Sequence, residues 1–152
     1  MTRVLMVCLG NICRSPLAEG ILKSKVDSDK VTVDSAGTAN YHIGKGPDKR
    51  SIATAARYKI DITDQRARQF TAEDFDKFDY IFAMDRSNYN DIVSLAKNTS
   101  DKAKVTLMLE VLNNPQAIEV PDPYYGGDSG FEHVFQLLDQ ATDLVVKKIE
   151  SH

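Results

Sequence analysis

The segment Arg3-Val4-Leu5-Met6-Val7-Cys8-Leu9-Gly10-Asn11-Ile12-Cys13-Arg14-Ser15-Pro16-Leu17-Ala18 passes from an apolar, partly β-branched run through a short loop to a proline. Arg3 to Val7 has the length and composition of a buried parallel strand. Cys8 to Ser15 reads as the loop. Pro16 then opens a helix, because the first helical turn loses nothing by a missing N–H, and Ser15 before it is a good N-cap. Leu17, Ala18, Ile21, Leu22 and Val26 follow as one apolar stripe at helical spacing.

Outward from this segment the same alternation repeats. Val31 to Ser35 reads as a second strand that ends in Ala36-Gly37-Thr38. A glycine-punctuated loop through Pro47 leads to a helix carrying Ile52, Ala55 and Ala56. Tyr80 to Ala83 is a third strand, and Asp85 caps a helix with Tyr89, Ile92, Val93 and Ala96 along one face. Val105 to Leu107 is a fourth strand, with Met108 to Leu112 either extending it or turning helical. A last helix from about Gly130 turns Phe131, Val134, Phe135, Leu138, Val145 and Ile149 inward. Strands alternating with helices predict an α/β fold: a single domain over residues 1–152, built as a doubly wound sheet of about four parallel strands flanked by helices. In such sheets ligands sit beyond the carboxyl ends of the strands, where strand order reverses. The loop after the first strand is then the expected place for a ligand, and its residues decide whether it is a phosphate-binding loop.

Composition agrees with one globular domain: 152 residues, 42% hydrophobic and 27% charged. A formal net charge of -3 provides no basic footprint, which disfavours nucleic acid as a partner. No apolar run reaches the roughly 18 residues of a membrane span. The first residues lack the features of a signal peptide, so a cytoplasmic protein is expected. The 2 cysteines, Cys8 and Cys13, are too few for a disulfide scaffold or a structural zinc site.

Their loop is suited to other chemistry. A strand, a tight glycine-containing loop and a helix N-terminus together turn backbone N–H groups toward a point made electropositive by the helix dipole. A tetrahedral oxyanion fits there. Gly10 and Asn11 best tolerate the left-handed backbone such a cradle uses. Arg14 can hold two phosphate oxygens with its planar fork. The same field favours the thiolate of a cysteine placed beneath the phosphorus, as Cys8 would be, and Ser15 could donate its hydroxyl to that sulfur. A nucleotide-binding P-loop would need Gly-Lys-Ser or Gly-Lys-Thr, and no lysine precedes Lys23. A cysteine protease would need a histidine base, and nothing ties His42, His133 or His152 to Cys8.

Val7-Cys8-Leu9-Gly10-Asn11-Ile12-Cys13-Arg14-Ser15-Pro16, with its Cys-x5-Arg-Ser core, resembles the signature of the low-molecular-weight protein tyrosine phosphatases. Asp34-Ser35-Ala36-Gly37-Thr38, Arg66-Ala67-Arg68-Gln69, Ala83-Met84-Asp85 and Asp122-Pro123-Tyr124-Tyr125 are similar to further segments of that family. The resemblance implies hydrolysis of phosphotyrosine through a phosphocysteine. Cys8 would be the nucleophile, Arg14 the phosphate clamp and Asp122 the general acid and then base. It implies that Leu9, Gly10, Asn11, Ile12, Cys13, Ser15 and Ser35 build or support the loop, and that Tyr41, Tyr124 and Tyr125 wall the substrate pocket. No cofactor or metal is expected, because Arg14 and the N–H groups carry the phosphate charge. The expected partners are phosphotyrosine proteins, with inorganic phosphate or other oxyanions as inhibitors. A monomer is expected, with a weak dimer or non-classical export as alternatives.

From the residues alone, Asp122 before Pro123 is also a common turn starter, and Asp85 is a rival carboxylate that reads better as an N-cap. Cys13 either packs beneath the loop or, as the resemblance implies, traps oxidised Cys8 as a reversible disulfide. The three tyrosines could equally be ordinary exposed loop residues. One departure stands out: Gln65 occupies the position where the family usually has a histidine supporting the loop asparagine. Glutamine cannot take up a charge, so the loop should depend less on pH near neutrality. Arsenate reduction on the same fold would need further cysteines. Arginine phosphatases of similar sequence tend to carry threonine where Ile12 stands. A pseudophosphatase that only binds phosphotyrosine would normally have lost Cys8 or Asp122.

Overall fold

Strand β1 spans Thr2–Cys8 and is buried from Val4 to its end in the computed structural model, which describes residues 1–114, 118–124 and 128–150. The strand thus takes in Cys8, which had been read as the first loop residue. Helix α1 (Arg14–Lys23) leads to β2 (Val31–Gly37), and α2 (Lys49–Arg57) and the short α3 (Asp74–Lys77) lead to β3 (Tyr80–Ala83). Then come α4 (Arg86–Val93), α5 (Thr99–Ala103), β4 (Val105–Leu107), a 3-10 turn over Met108–Leu112, and α6 (Asp128–Glu150).

The strands form a parallel sheet in the order β2-β1-β3-β4. Successive side chains of a strand face opposite ways, and both faces of this sheet are apolar. Val4, Met6 and Cys8 of β1 pack with Phe82, with Leu17, Ile21 and Leu22 of α1, and with Phe135, Leu138 and Val145 of α6. Leu5 and Val7 pack on the other side with Ile81, Phe70, Phe75 and Ile92. Each such large side chain, fully buried, contributes roughly 1.5–3 kcal/mol. The expected α/β sandwich of a parallel sheet between helices is what forms.

Several boundaries differ from the sequence reading, for local reasons. Helix α1 begins at Arg14, with Cys13 as an N-cap that makes no side-chain cap bond. Ser15 therefore lies inside the first turn, because its hydroxyl is taken by Asn11 and Cys8 instead of a backbone N–H. The helix ends at Lys23, yet Val26 beyond it still packs on the core. Met108–Leu112 turns helical instead of extending β4. Helices α3 and α5, only 4 and 5 residues long, are too short to show a periodic stripe. Asp85 does cap α4, accepting from Asn88 N at 2.8 Å.

Because β1 has β2 on one side and β3 on the other, the chain reverses direction across the sheet at β1. Loops gather at that carboxyl edge: Thr38 N donates to Cys8 O, Ala39 N to Leu9 O, and Val120 N to Met84 O. Gly37 is paired with Cys8, and a Cβ there would lie 2.7 Å from Leu9 O and 3.1 Å from Asn11 N. Only glycine lets β2 end so close to the loop that follows β1.

Candidate active site

Cys8 closes β1 and is 2% exposed, so its sulfur is presented at the floor of the crevice instead of in open solvent. Two groups hydrogen-bond with Sγ: Asn11 N, which donates at 3.3 Å, and the Ser15 hydroxyl at 3.0 Å. Asn11 sits in the left-handed region at φ 58°, which bends the loop so that its own N–H points back at the sulfur. Gly10 needs no positive φ. It is small because the ring of His42 lies over it, with Cδ2 only 2.9 Å from where a Cβ would stand.

The side chain of Asn11 is fully engaged. Its Oδ1 accepts from Arg68 N at 3.1 Å, which fixes the amide's orientation. Its Nδ2 donates to Ser15 Oγ at 2.8 Å and to Ser35 Oγ at 2.9 Å. With Nδ2 occupying their oxygens, the hydroxyl protons point onward. Ser35 donates to Glu19 Oε1 at 2.6 Å, and Ser15 is left to donate to a deprotonated Cys8. Glu19, 3% exposed on α1, is held above its ordinary value chiefly by burial, with Lys23 and Ser35 opposing.

Arg14 is 2% exposed. Nη1 donates to Asp85 Oδ2 at 2.7 Å and to Val120 O at 3.0 Å, while Nη2 lies 3.7 Å from Asp122 Oδ2. Burial weighs against the charge, but Cys8, Asp85 and Asp122 outweigh it and hold the guanidinium above its ordinary value. Asp85 therefore does two things, capping α4 with one oxygen and orienting Arg14 with the other. Asp122 also combines two readings: Oδ1 accepts from Tyr124 N at 3.0 Å, the local bond of an Asp-Pro turn, while the carboxylate faces the arginine. Cys13 is buried and its thiol is pushed up to about 12, by burial first and then by Asp48, Cys8 and Asp122.

These groups open into one cavity of about 300 Å³. Cys8, Arg14 and Asp122 line it, with Leu9, Gly10, Ile12 and Cys13 below and Tyr41, His42 and Tyr124 at its walls. A strand-end thiol, a buried arginine and a carboxylate thus converge on a space of phosphate-ester size.

Residues 3–152 match the family described as low molecular weight phosphotyrosine protein phosphatase. This chain belongs to that family. The low molecular weight phosphotyrosine protein phosphatase of Homo sapiens is 44% identical over 88% of this chain and 86% of its own length. The protein tyrosine phosphatase of Entamoeba histolytica, crystallised with Hepes in its active site, superposes with a TM-score of 0.93 at 37% identity, covering 99% of this chain and 98% of that one. Vibrio vulnificus Wzb, solved with benzylphosphonate, gives 0.86 at 29% identity over 97% and 98% of the two chains.

Within this family frame, the sequence reading left several residues unassigned. Gln65 does not hold the loop asparagine: its Nε2 donates to Pro16 O at 3.1 Å, and its carbonyl is buried without a partner among the described residues. The backbone of Arg68 holds Asn11 instead. Glu19, Asp48 and Arg50 were not singled out, and His42 was considered only as a protease base. His42 adjoins Tyr41, an expected pocket residue, whereas Glu19 stands off the apolar stripe of its helix and gives no signal of its burial. Tyr41 is 69% exposed even though it lines the cavity. Tyr125 lies outside the described residues. No described helix is long and apolar enough to cross a membrane.

Proposed function

We propose that this chain, acting as one domain, hydrolyses phosphotyrosine in protein substrates by two in-line phosphoryl transfers. The observation that carries the reading is the placement of Cys8 Sγ, 3.0 Å from Ser15 Oγ and 3.3 Å from Asn11 N, in a cavity that Arg14 and Asp122 also line. The Cys8 thiolate attacks phosphorus as the bond from phosphorus to the tyrosyl oxygen breaks. Asp122 gives its proton to the departing oxygen, a contribution of roughly 10²–10⁴-fold where the leaving group is a phenolate. Arg14 and the loop N–H groups hold the charge of the transferring group. Water then attacks the phosphocysteine, Asp122 takes its proton, and Cys8 leaves as thiolate with Ser15 and Asn11 stabilising it.

The bound benzylphosphonate of the Vibrio relative favours an aryl ester substrate here, and oxyanions such as phosphate or sulfate should compete for the same loop. Ile12 at the pocket floor also favours a flat aryl group. Cys13, next to the nucleophile, is the candidate partner for a protective disulfide with oxidised Cys8. We further place the protein in the cytoplasm as a monomer.

Phosphate release from a phosphotyrosine peptide, without added metal, tests the assignment. Wild type should turn over, Cys8→Ser should be inactive, and Asp122→Asn should be slowed at least about a hundredfold. Release from phosphoarginine but not phosphotyrosine would overturn the substrate assignment.

A further inference from the structure

Asp122 lies far along the chain from the loop that holds Cys8, and catalysis needs the two in fixed register. Among the described residues the carboxylate of Asp122 has one close hydrogen bond, from Tyr124 N, and its 3.7 Å approach to Arg14 is too long to fix it. The contacts of Arg50, the second residue of α2, provide what is missing. Its Nε donates to Asp48 Oδ1 and its Nη2 to Asp48 Oδ2, both at 3.1 Å. Asp48 caps α2 by accepting from Arg50 N at 2.8 Å, and its own N–H donates to Ile12 O at 2.8 Å, inside the phosphate loop. Nη2 of Arg50 then donates to Tyr124 O at 2.9 Å. The guanidinium also lies 5.6 Å from the Tyr124 ring centroid and 4.6 Å from that of Phe131 on α6. Both distances are within cation–π range. A continuous path therefore runs from the phosphate loop through Asp48 and Arg50 to Tyr124 and Asp122.

We propose that Arg50 is a positioning residue for the general acid, clamping the Asp122–Tyr124 turn to the nucleophile's loop so that the carboxyl stands at the leaving oxygen. The inference rests on Asp122 being the acid. A misplacement of about 1 Å can cost a factor of 10² in rate. The loss should fall on substrates that need protonation of the leaving group, which a general weakening of the fold would not do.

The test is kcat/KM over a series of aryl phosphates of graded leaving-group acidity, from phenyl to dinitrophenyl phosphate. Wild type should show a shallow dependence and Asp122→Asn a steep one. Arg50→Ala should be steep too, losing about tenfold or more on phenyl phosphate and less than about threefold on the dinitrophenyl ester. Arg50→Lys, which can still donate to Tyr124 O, should recover most of the shallow dependence. Arg57→Gln, on the same helix but paired with Glu132, should match wild type. Partial unfolding scales every substrate alike, so the slope is informative even for a destabilised variant. A steep slope in Asp122→Asn with a wild-type slope in Arg50→Ala overturns the role of Arg50 and leaves Asp122 standing. A wild-type slope in Asp122→Asn itself overturns both.

Discussion

Arg14 and Asp85 are joined through a 2.7 Å bond from Nη1 to Oδ2, and Asp85 uses its remaining oxygen to cap α4 at Asn88 N. Arg14, the proposed phosphate clamp, is therefore oriented from the end of β3, a different element from the one that carries Cys8, the proposed nucleophile. This follows from strand order: β3 is the neighbour of β1, and its carboxyl end reaches the same edge.

Asp85→Asn separates these two tasks. Asparagine caps a helix as well as aspartate does, but with its one side-chain oxygen on the cap it presents an NH2 group, not a carboxylate oxygen, to Arg14. The lost bond, between charged groups, contributes about 1.5–3 kcal/mol. The variant should fold, lose no more than that in urea unfolding, and bind inorganic phosphate about tenfold more weakly as a competitive inhibitor. Unchanged phosphate inhibition would show that Val120 O alone orients the arginine.

Asn11→Ala should be more damaging than its size suggests. It removes the bonds to Ser15, Ser35 and Arg68 and places a Cβ residue without a polar side chain at φ 58°. The left-handed backbone alone costs roughly 1–2 kcal/mol for an ordinary residue. Asn11→Gly relieves that strain but not the lost bonds. Both variants should therefore lose most of kcat/KM, with glycine the more stable on thermal unfolding. Near-wild-type turnover in Asn11→Gly would show that the side-chain bonds are dispensable.

The sheet was legible because its strands are short apolar runs bounded by turn residues, and Tyr80–Ala83 and Val105–Leu107 emerge with the boundaries read from sequence. The loop over residues 8–15 stood out because cysteine, glycine, asparagine, arginine and serine are crowded into one local segment. What escaped notice is non-local or polar. Helices α3 and α5 are set by polar bonds instead of an apolar stripe, as when Asp74 accepts from Thr71 N and from Arg68, and Asn98 from Asp101 N. Glu19 and Arg50 look like ordinary helix-surface charges until the fold brings Ser35 and Tyr124 against them. A one-dimensional reading marks which residues can do chemistry better than which residues hold them in place.

Glu19, which accepts from Ser35 behind the loop, makes stability pH-sensitive on the acid side. Its folded value is raised above the ordinary 4.5, chiefly by burial, with Asp34 adding and Lys23 and Ser35 opposing. The folded chain therefore keeps this proton to higher pH than the unfolded chain does. The contribution of Glu19 to stability is fully present below about 4.5 and is lost as pH rises through the folded value. Glu19→Gln has no proton to lose. Stability of the variant minus that of wild type should consequently shift in the variant's favour above about pH 4.5, by at most ~1.4 kcal/mol per pH unit. Urea midpoints from pH 4 to 8 measure this, and a difference that is flat across the range contradicts it.

The thiol of Cys13 carries the last prediction. Pushed up to about 12, it is protonated at neutral pH, so iodoacetamide should leave Cys13 untouched, as peptide mapping can show. Oxidation changes the balance. When peroxide converts Cys8 to the sulfenic acid, the negative charge that helps raise Cys13 is gone. Cys13 can then attack that sulfur, forming the disulfide as its own proton and the sulfenic hydroxyl leave as water. The attacking species is the thiolate, whose fraction grows about tenfold per pH unit below its pKa. Protection against irreversible oxidation should therefore be stronger at pH 8.5 than at pH 6.5. After peroxide and then dithiothreitol, wild type should regain most of its activity, and Cys13→Ala far less at either pH. Equal recovery by the two proteins would mean that Cys13 is only a packing residue beneath the loop.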